Sequence, residues 1–274
     1  MLYQIDRIRA RGVETGYFRF GTGPQPLVIL PGLSVRRVRE SAAEVANQYR
    51  SLAADFTLYV LDRREDLPAE YSFAAMTRDV ADALEALGLQ EICLFGASQG
   101  GMIAMALTLE QPGLVRRLAV GASAARMDAA RSAVIEGWVR LARAQDAAGL
   151  FDAFAQALYP AAFYDTIRPM LPVVATEATA EDLGRFCILA QATQAFDLLP
   201  RLPEIRCPFF SIDAADDAVL GADAGAEIAA AMRDAPLFER QTLSGFGHAA
   251  FDTAPDFKER LGAFFRAQRS GCGE

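Results

Sequence analysis

Short apolar runs recur along this chain, separated by stretches in which apolar residues fall three and four apart. PLVIL at 26–30 and FTLYVL at 56–61 are brief, β-branched and aromatic, the composition of strands buried on both faces. EICLF at 91–95, LAV at 118–120, PFFSI at 208–212 and PLFERQTL at 236–243 read the same way. Between them, Phe73, Met76, Val80, Leu84 and Leu87 mark one face of a helix over 73–87 that Gly88 stops. SQGGMIAMALTLE at 98–110 is apolar nearly all round and ends before Pro112, which predicts a helix buried on every side. Phe257, Leu261, Phe264 and Phe265 mark a last helix with Pro255 near its start. Strands alternating with helices imply a mostly parallel, doubly wound α/β sheet with helices on both faces. YQIDRIRA and TGYFRF, within the first 22 residues, add an antiparallel hairpin at one edge and bring the expected sheet to about eight strands.

The alternation fails over residues 125–200, which are helical in pattern and carry scattered aromatics such as Trp138, Phe154, Tyr159 and Phe186. One reading is an extra helical layer. The favoured one is a helical cap, or lid, inserted into a core domain made of 1–124 and 201–274, because ligand sites of parallel sheets lie at strand C-termini and are commonly covered there.

Composition removes several classes of function. The net charge of −8 and the lack of a dense Lys/Arg run argue against a nucleic-acid partner. Asp62-Arg63-Arg64-Glu65-Asp66 alternates in sign and reads as a solvated loop. Cys93, Cys187, Cys207 and Cys272 have no C-x-x-C spacing, and the chain has one histidine, so no metal site is expected. Cys93, in an apolar run, is expected to be a small buried residue. No signal peptide or apolar run of membrane-spanning length is visible, so a cytoplasmic protein without a membrane partner is expected.

The single histidine, His248, lies in SGFGHAAFD, just past the last expected strand. LFGASQGG at 94–101 contains Gly96-Ala97-Ser98-Gln99-Gly100, a G-x-S-x-G turn between an apolar strand and an apolar helix. A serine on such a turn projects its hydroxyl above the sheet, and glycines at Gly96 and Gly100 let strand and helix approach. Serine alone is a poor nucleophile. It needs a base, and the base needs a group to hold its tautomer. His248 is the only imidazole available as base, and Asp213, Asp216 and Asp217, straight after PFFSI, are candidate orienting acids. The three residue types follow three different strands, in the order Ser, Asp, His expected for this architecture. An oxyanion needs two aimed N–H donors. The backbone N–H groups of Gln99 and of Leu33, in the loop turned by Gly32, are the candidates. A phosphate-binding turn is the competing reading of the Gly-rich segment, but the Walker lysine and the G-x-G-x-x-G spacing are both missing.

With FGASQGG as the nucleophile elbow, CPFFSIDAADDAV as the acid loop and SGFGHAAFDTAPDFKERLGAFF as the histidine loop and last helix, the chain resembles an α/β-hydrolase with a helical cap over nearly its whole length. The resemblance implies an acid three residues after a small residue that ends the strand. Laid on Asp213-Ala214-Ala215-Asp216, this selects Asp216, with Asp217 as the fallback. Two departures stand out. Pro31-Gly32 replaces the His-Gly common in relatives, which removes a side-chain anchor of the oxyanion loop. The loop after FTLYVL is charged and glycine-free.

The expected function is a cofactor-independent serine hydrolase with Ser98 as nucleophile, His248 as base and Asp216 as acid. Its substrate is expected to be a small or medium, mostly apolar ester or lactone. Amidases, acyltransferases, carbon–carbon bond hydrolases and cofactor-free haloperoxidases share these features. A ligand receptor on the same fold is the alternative from another class, and an NAD-using enzyme lacks its glycine fingerprint. An apolar cap surface leaves a homodimer open.

Overall fold

The computed structural model describes residues 1–267, so Cys272 lies outside the described residues. Eight strands form one sheet: β1 (Tyr3–Ala10), β2 (Val13–Phe20), β3 (Gln25–Leu30), β4 (Phe56–Arg64), β5 (Ile92–Ala97), β6 (Val115–Gly121), β7 (Phe209–Ala214) and β8 (Phe238–Leu243). Their spatial order is β1-β2-β4-β3-β5-β6-β7-β8. β1–β2 and β2–β4 are antiparallel, and every later pair is parallel. The doubly wound sheet and its edge hairpin thus have the expected form.

Side-chain alternation sets the two faces. On β3, Leu27 and Ile29 point to one side and Val28 and Leu30 to the other. The first side packs on α1 (Ala42–Gln48) through Ala42 and Ala46, and on α11 (Phe257–Arg266) through Phe257, Leu261 and Phe265. The second side packs on α2 (Phe73–Ala86), α3 (Gln99–Glu110) and α9 (Ala224–Ala231) through Met76, Val80, Ile103, Leu107 and Ile228. A serine cap stabilises the start of α2, where Ser72 Oγ accepts from Ala75 N at 3.1 Å. α3 is buried on all sides, as its apolar sequence requires.

Between β6 and β7 the described chain is helical: α4 (Ala129–Arg143), α5 (Ala147–Leu158), α6 (Ala161–Ile167), α7 (Leu171–Ala175) and α8 (Ala180–Ala192). Its way in and its way out are zipped together. Met127 N donates to Phe196 O and Leu198 N to Ala125 O, both at 2.8 Å. Trp138, Leu150 and Phe186 of these helices share a third core with Met102, Val219 and Leu220 of the sheet domain. The site lies at this junction.

Two expectations need correction. PLFERQTL was expected to be a buried strand, yet β8 is one of the sheet's two outer strands and is largely exposed except at Leu243. The run Asp62–Asp66 is only in part a loop. β4 continues through Asp62, Arg63 and Arg64, and Asp62 and Arg63 are buried. Asp62 stays inside because its two oxygens accept from Val38 N at 2.9 Å and Arg39 N at 3.2 Å. Alternating charge resembles a solvated surface in sequence, but Asp62, Arg63, Arg64 and Glu65 each have a fixed partner in the fold, and only Asp66 is exposed. Cys93 is buried, as expected.

Candidate active site

Strand order reverses at β3, because the chain leaves it for β4 on one side and returns to β5 on the other. The loops after β3 and β5 therefore part over a crevice at the C-terminal sheet edge, where doubly wound folds place their ligands. Ser98 stands there, in the one-residue step from β5 to α3. Its backbone has φ 51° and ψ −121°, a region that side chains rarely occupy. Close packing enforces it. A Cβ on Gly96 would lie 2.2 Å from Gly100 O, and one on Gly100 would lie 2.0 Å from Leu30 O. The elbow is further pinned by Ser98 N donating to Gly121 O at 2.9 Å and Ser123 Oγ donating to Ser98 O at 2.8 Å.

His248, 3% exposed, reaches the serine from the loop after β8. Its Nε2 is 2.9 Å from Ser98 Oγ and its Nδ1 is 2.8 Å from Asp217 Oδ2. Asp217 Oδ1 accepts from Val219 N at 2.8 Å and Leu220 N at 2.9 Å. Burial pushes the Asp217 carboxyl up, but the adjacent imidazole and these two N–H groups outweigh it and hold the group below its usual range. It is thus an ionised acceptor at neutral pH.

The carboxylate that meets the imidazole is therefore Asp217, one position beyond the expected Asp216. Asp216 faces the other way, and its oxygens accept from Gly245 N at 3.2 Å and Gly247 N at 3.1 Å, bracing the histidine loop from behind. Asp213 is occupied too: Arg240 donates to both its oxygens at 2.9 and 2.8 Å, and Thr242 adds a third bond at 3.0 Å. Three neighbouring carboxylates thus have three separate duties, and only Asp217 meets the imidazole.

Gly32 packs against the nucleophile; a Cβ there would lie 3.2 Å from Ser98 Cβ. Leu33 and Gln99 line the same slot as Ser98 and His248. Among the described residues no hydrogen bond uses the backbone N–H of either. Gln99 opens α3, so its N–H has no partner within the helix.

Arg63 is the residue that sequence reasoning missed. From the buried end of β4, its Nη2 donates to Pro31 O at 2.8 Å and to Gln99 Oε1 at 3.2 Å. It therefore ties the loop after β3 to the elbow after β5. Gln99 Nε2 in turn donates to Leu189 O of α8 at 2.8 Å. Burial lowers the Arg63 pKa to about 10. The missing anchor at Pro31 was the available signal: a backbone carbonyl must take over, and a cation from β4 is within reach of it.

Two spaces adjoin these groups. The slot over Ser98 has a volume of about 40 Å³ and apolar walls that include Met102, Ile135, Trp138 and Val219. A larger cavity of about 480 Å³ lies beside it, and Gly32, Leu33, Phe154, Leu158 and Phe251 wall both. Among the described residues no group of three or more His, Cys, Asp or Glu side chains is arranged to hold a metal ion, and no helix is long and apolar enough to cross a membrane.

Comparison with known proteins agrees with this fold. The model of the α/β-hydrolase fold family matches residues 25–255. A protein of Klebsiella pneumoniae (strain 342) named "Putative carbamate hydrolase RutD" is 29% identical over 206 residues, covering 69% of this chain and 71% of the relative. The protein of the same name from Agrobacterium fabrum is 28% identical over 235 residues, covering 81% and 87%. Among solved structures, the α/β-hydrolase MGS-M2 from a deep-sea metagenome superposes with a TM-score of 0.86 at 18% identity, covering 97% of this chain and 99% of its own. The enol-lactonase of Burkholderia xenovorans LB400 gives 0.81 at 21% identity, covering 96% and 100%. At such identities the two structures establish a shared fold.

Proposed function

The chain belongs to the α/β-hydrolase family, and from that premise we propose that it is a serine hydrolase acting through an acyl-enzyme on Ser98. The observation that carries the proposal is the unbroken relay from Ser98 Oγ to His248 to the buried Asp217 carboxylate, with both contacts under 3 Å. His248 Nε2 takes the hydroxyl proton as Ser98 Oγ bonds to the substrate carbonyl carbon. The carbonyl oxygen becomes an oxyanion, and the backbone N–H groups of Leu33 and Gln99, two residues that line the slot, are the donors we assign to it. The N-terminal dipole of α3 favours the same charge. His248 returns its proton to the leaving oxygen or nitrogen as the carbon–heteroatom bond breaks. Water, deprotonated by the same imidazole, then releases the acid and restores the serine. Asp217 keeps Nδ1 protonated and stabilises the imidazolium throughout.

The slot limits the acyl side to roughly three water-sized groups, since one water occupies about 10–15 Å³ on this measure. Its walls are apolar, so a short apolar acyl ester or a small lactone fits first. A carbamate is the second reading, because the relatives from Klebsiella and Agrobacterium carry that substrate in their name and because its carbonyl passes through the same tetrahedral intermediate. The helices between β6 and β7, which wall the slot through Ile135, Trp138 and Phe154, act as its cap.

Labelling with a fluorophosphonate probe at neutral pH tests the mechanism. Stoichiometric modification of the wild type is expected, and its loss in both Ser98→Ala and His248→Ala. A folded wild type that stays unlabelled would sink the hydrolase reading and favour a ligand receptor. Turnover of short acyl esters, lactones and carbamates by the labelled enzyme then ranks the substrates.

A further inference from the structure

Asp252, four residues after His248 and on the short helix α10 (Ala250–Thr253), has no role in the relay. Desolvation by the surrounding protein raises its carboxyl pKa, yet the residue is exposed and lines the larger cavity. No hydrogen bond or ion pair to its carboxylate exists among the described residues. Lys258 acts on the carboxylate only through space, with no hydrogen bond to it. Its ammonium donates to the backbone carbonyls of Phe251 at 2.5 Å and Asp252 at 3.4 Å and stands 5.4 Å from the Tyr49 ring. The other charges on the cavity wall are matched among themselves or with neighbours: Arg36 with Glu40 and Glu177, and Arg37 with Glu65 and Glu181. Asp252 is the carboxylate left over. Tyr49, Tyr159, Phe151 and Phe251 line the same cavity.

A carboxylate that faces a cavity without a hydrogen bond or ion pair can accept from a ligand's cationic donor. Aromatic faces beside a carboxylate are the chemistry that holds an organic cation. The cavity's volume of about 480 Å³ suits a small organic group. We propose that this cavity is the subsite for the leaving-group half of the substrate, and that Asp252 selects a leaving group bearing an ammonium. The slot over Ser98 takes the short acyl group, and Phe251, which walls both spaces, marks the passage between them. The division of substrate halves rests on the hydrolase reading; the cation site itself does not.

Acetylcholine and its uncharged isostere 3,3-dimethylbutyl acetate share an acyl group and a shape, so their comparison isolates the charge. The wild type is expected to favour acetylcholine by about tenfold in kcat/KM, and Asp252→Asn to bring the ratio close to one. An unchanged thermal unfolding midpoint reports that the variant is folded. Binding gives a readout free of turnover. Choline should bind the Ser98→Ala protein in calorimetry, at least tenfold more weakly when Asp252→Asn is added, and 3,3-dimethylbutanol should show no such dependence. Equal treatment of the two esters by the wild type, a preference that survives Asp252→Asn, or no choline binding would each overturn the inference. Asp252-dependent choline binding without ester turnover or fluorophosphonate labelling would uphold the cation site and remove the hydrolase reading alone.

Discussion

Asp213, Asp216 and Asp217 stand within one turn of chain, and their separate partners decide which of them shapes reactivity. Asp217→Asn preserves shape but loses the ionised acceptor and disturbs the tautomer, so kcat is expected to fall by about 10³–10⁴. Asp216→Asn only weakens two backbone contacts and is expected to lose less than tenfold; steady-state kinetics on one ester separates the two. Stability should carry the same signature. A carboxyl held below its usual range stabilises the fold above the unfolded-state pKa of about 3.9, and this is lost as pH falls through the lower folded value. The difference in unfolding midpoint between wild type and Asp217→Asn should thus be full at pH 7 and shrink below about pH 4. The carboxylate at the imidazole does follow a small strand-ending residue by three positions, but that residue lies one step later than the sequence suggests. β7 runs to Ala214, and three residues beyond Ala214 is Asp217. One residue of strand boundary, set by pairing with Leu243 on β8, is invisible in the apolar pattern.

At the scale of elements, the strand–helix alternation was legible because burial on both faces writes continuous apolar runs and burial on one face writes a helical period. The elbow was legible for a related reason: close approach at Gly96 and Gly100 leaves no room for a side chain. The charged end of β4 was not legible, since a buried ion has the same letter as a solvated one and only the fold supplies its partner. Arg63 shows what this hides. It joins the Pro31 carbonyl to the Gln99 side chain and so fixes the spacing of the two loops that carry Leu33 and Gln99. As a positioning residue it should act on the transition state more than on binding. Arg63→Met is expected to lower kcat by about tenfold or more with little change in KM. Arg63→Lys, which retains one donor, should recover part of it. A purely structural role would instead lower the thermal midpoint and reduce active-enzyme titre at unchanged kcat per labelled site.

Across the whole molecule, the helices over the site are not a freely hinged flap. Arg131 of α4, buried, donates to Leu220 O at 2.6 Å and pairs with Glu227 of α9 at 2.8 Å. Arg185 of α8 donates to the carbonyls of Arg64 and Glu65 at 2.7 and 3.0 Å. Ala249 N, beside the base, donates to Leu158 O at the end of α5 at 2.9 Å. These ties leave α6, α7 and the turn between them, which carry exposed Phe163, Val173 and Met170, as the least anchored part. Hydrogen exchange should be fastest across 161–175 and slow across 129–143 and 180–192. Uniformly fast exchange over the entire 129–192 stretch would show that the ties do not hold.

The torsion at Ser98 carries one more consequence. A residue at φ 51° and ψ −121° sits where only glycine is at ease, at a penalty of about 1–3 kcal/mol. Ser98→Gly would release that strain and forfeit one hydrogen bond to His248, worth about 1 kcal/mol. The variant is expected to unfold at an equal or higher temperature than the wild type, as differential scanning calorimetry would reveal, while losing all turnover. Durability alone would therefore favour glycine at this position, and serine there trades robustness for a hydroxyl aimed at His248.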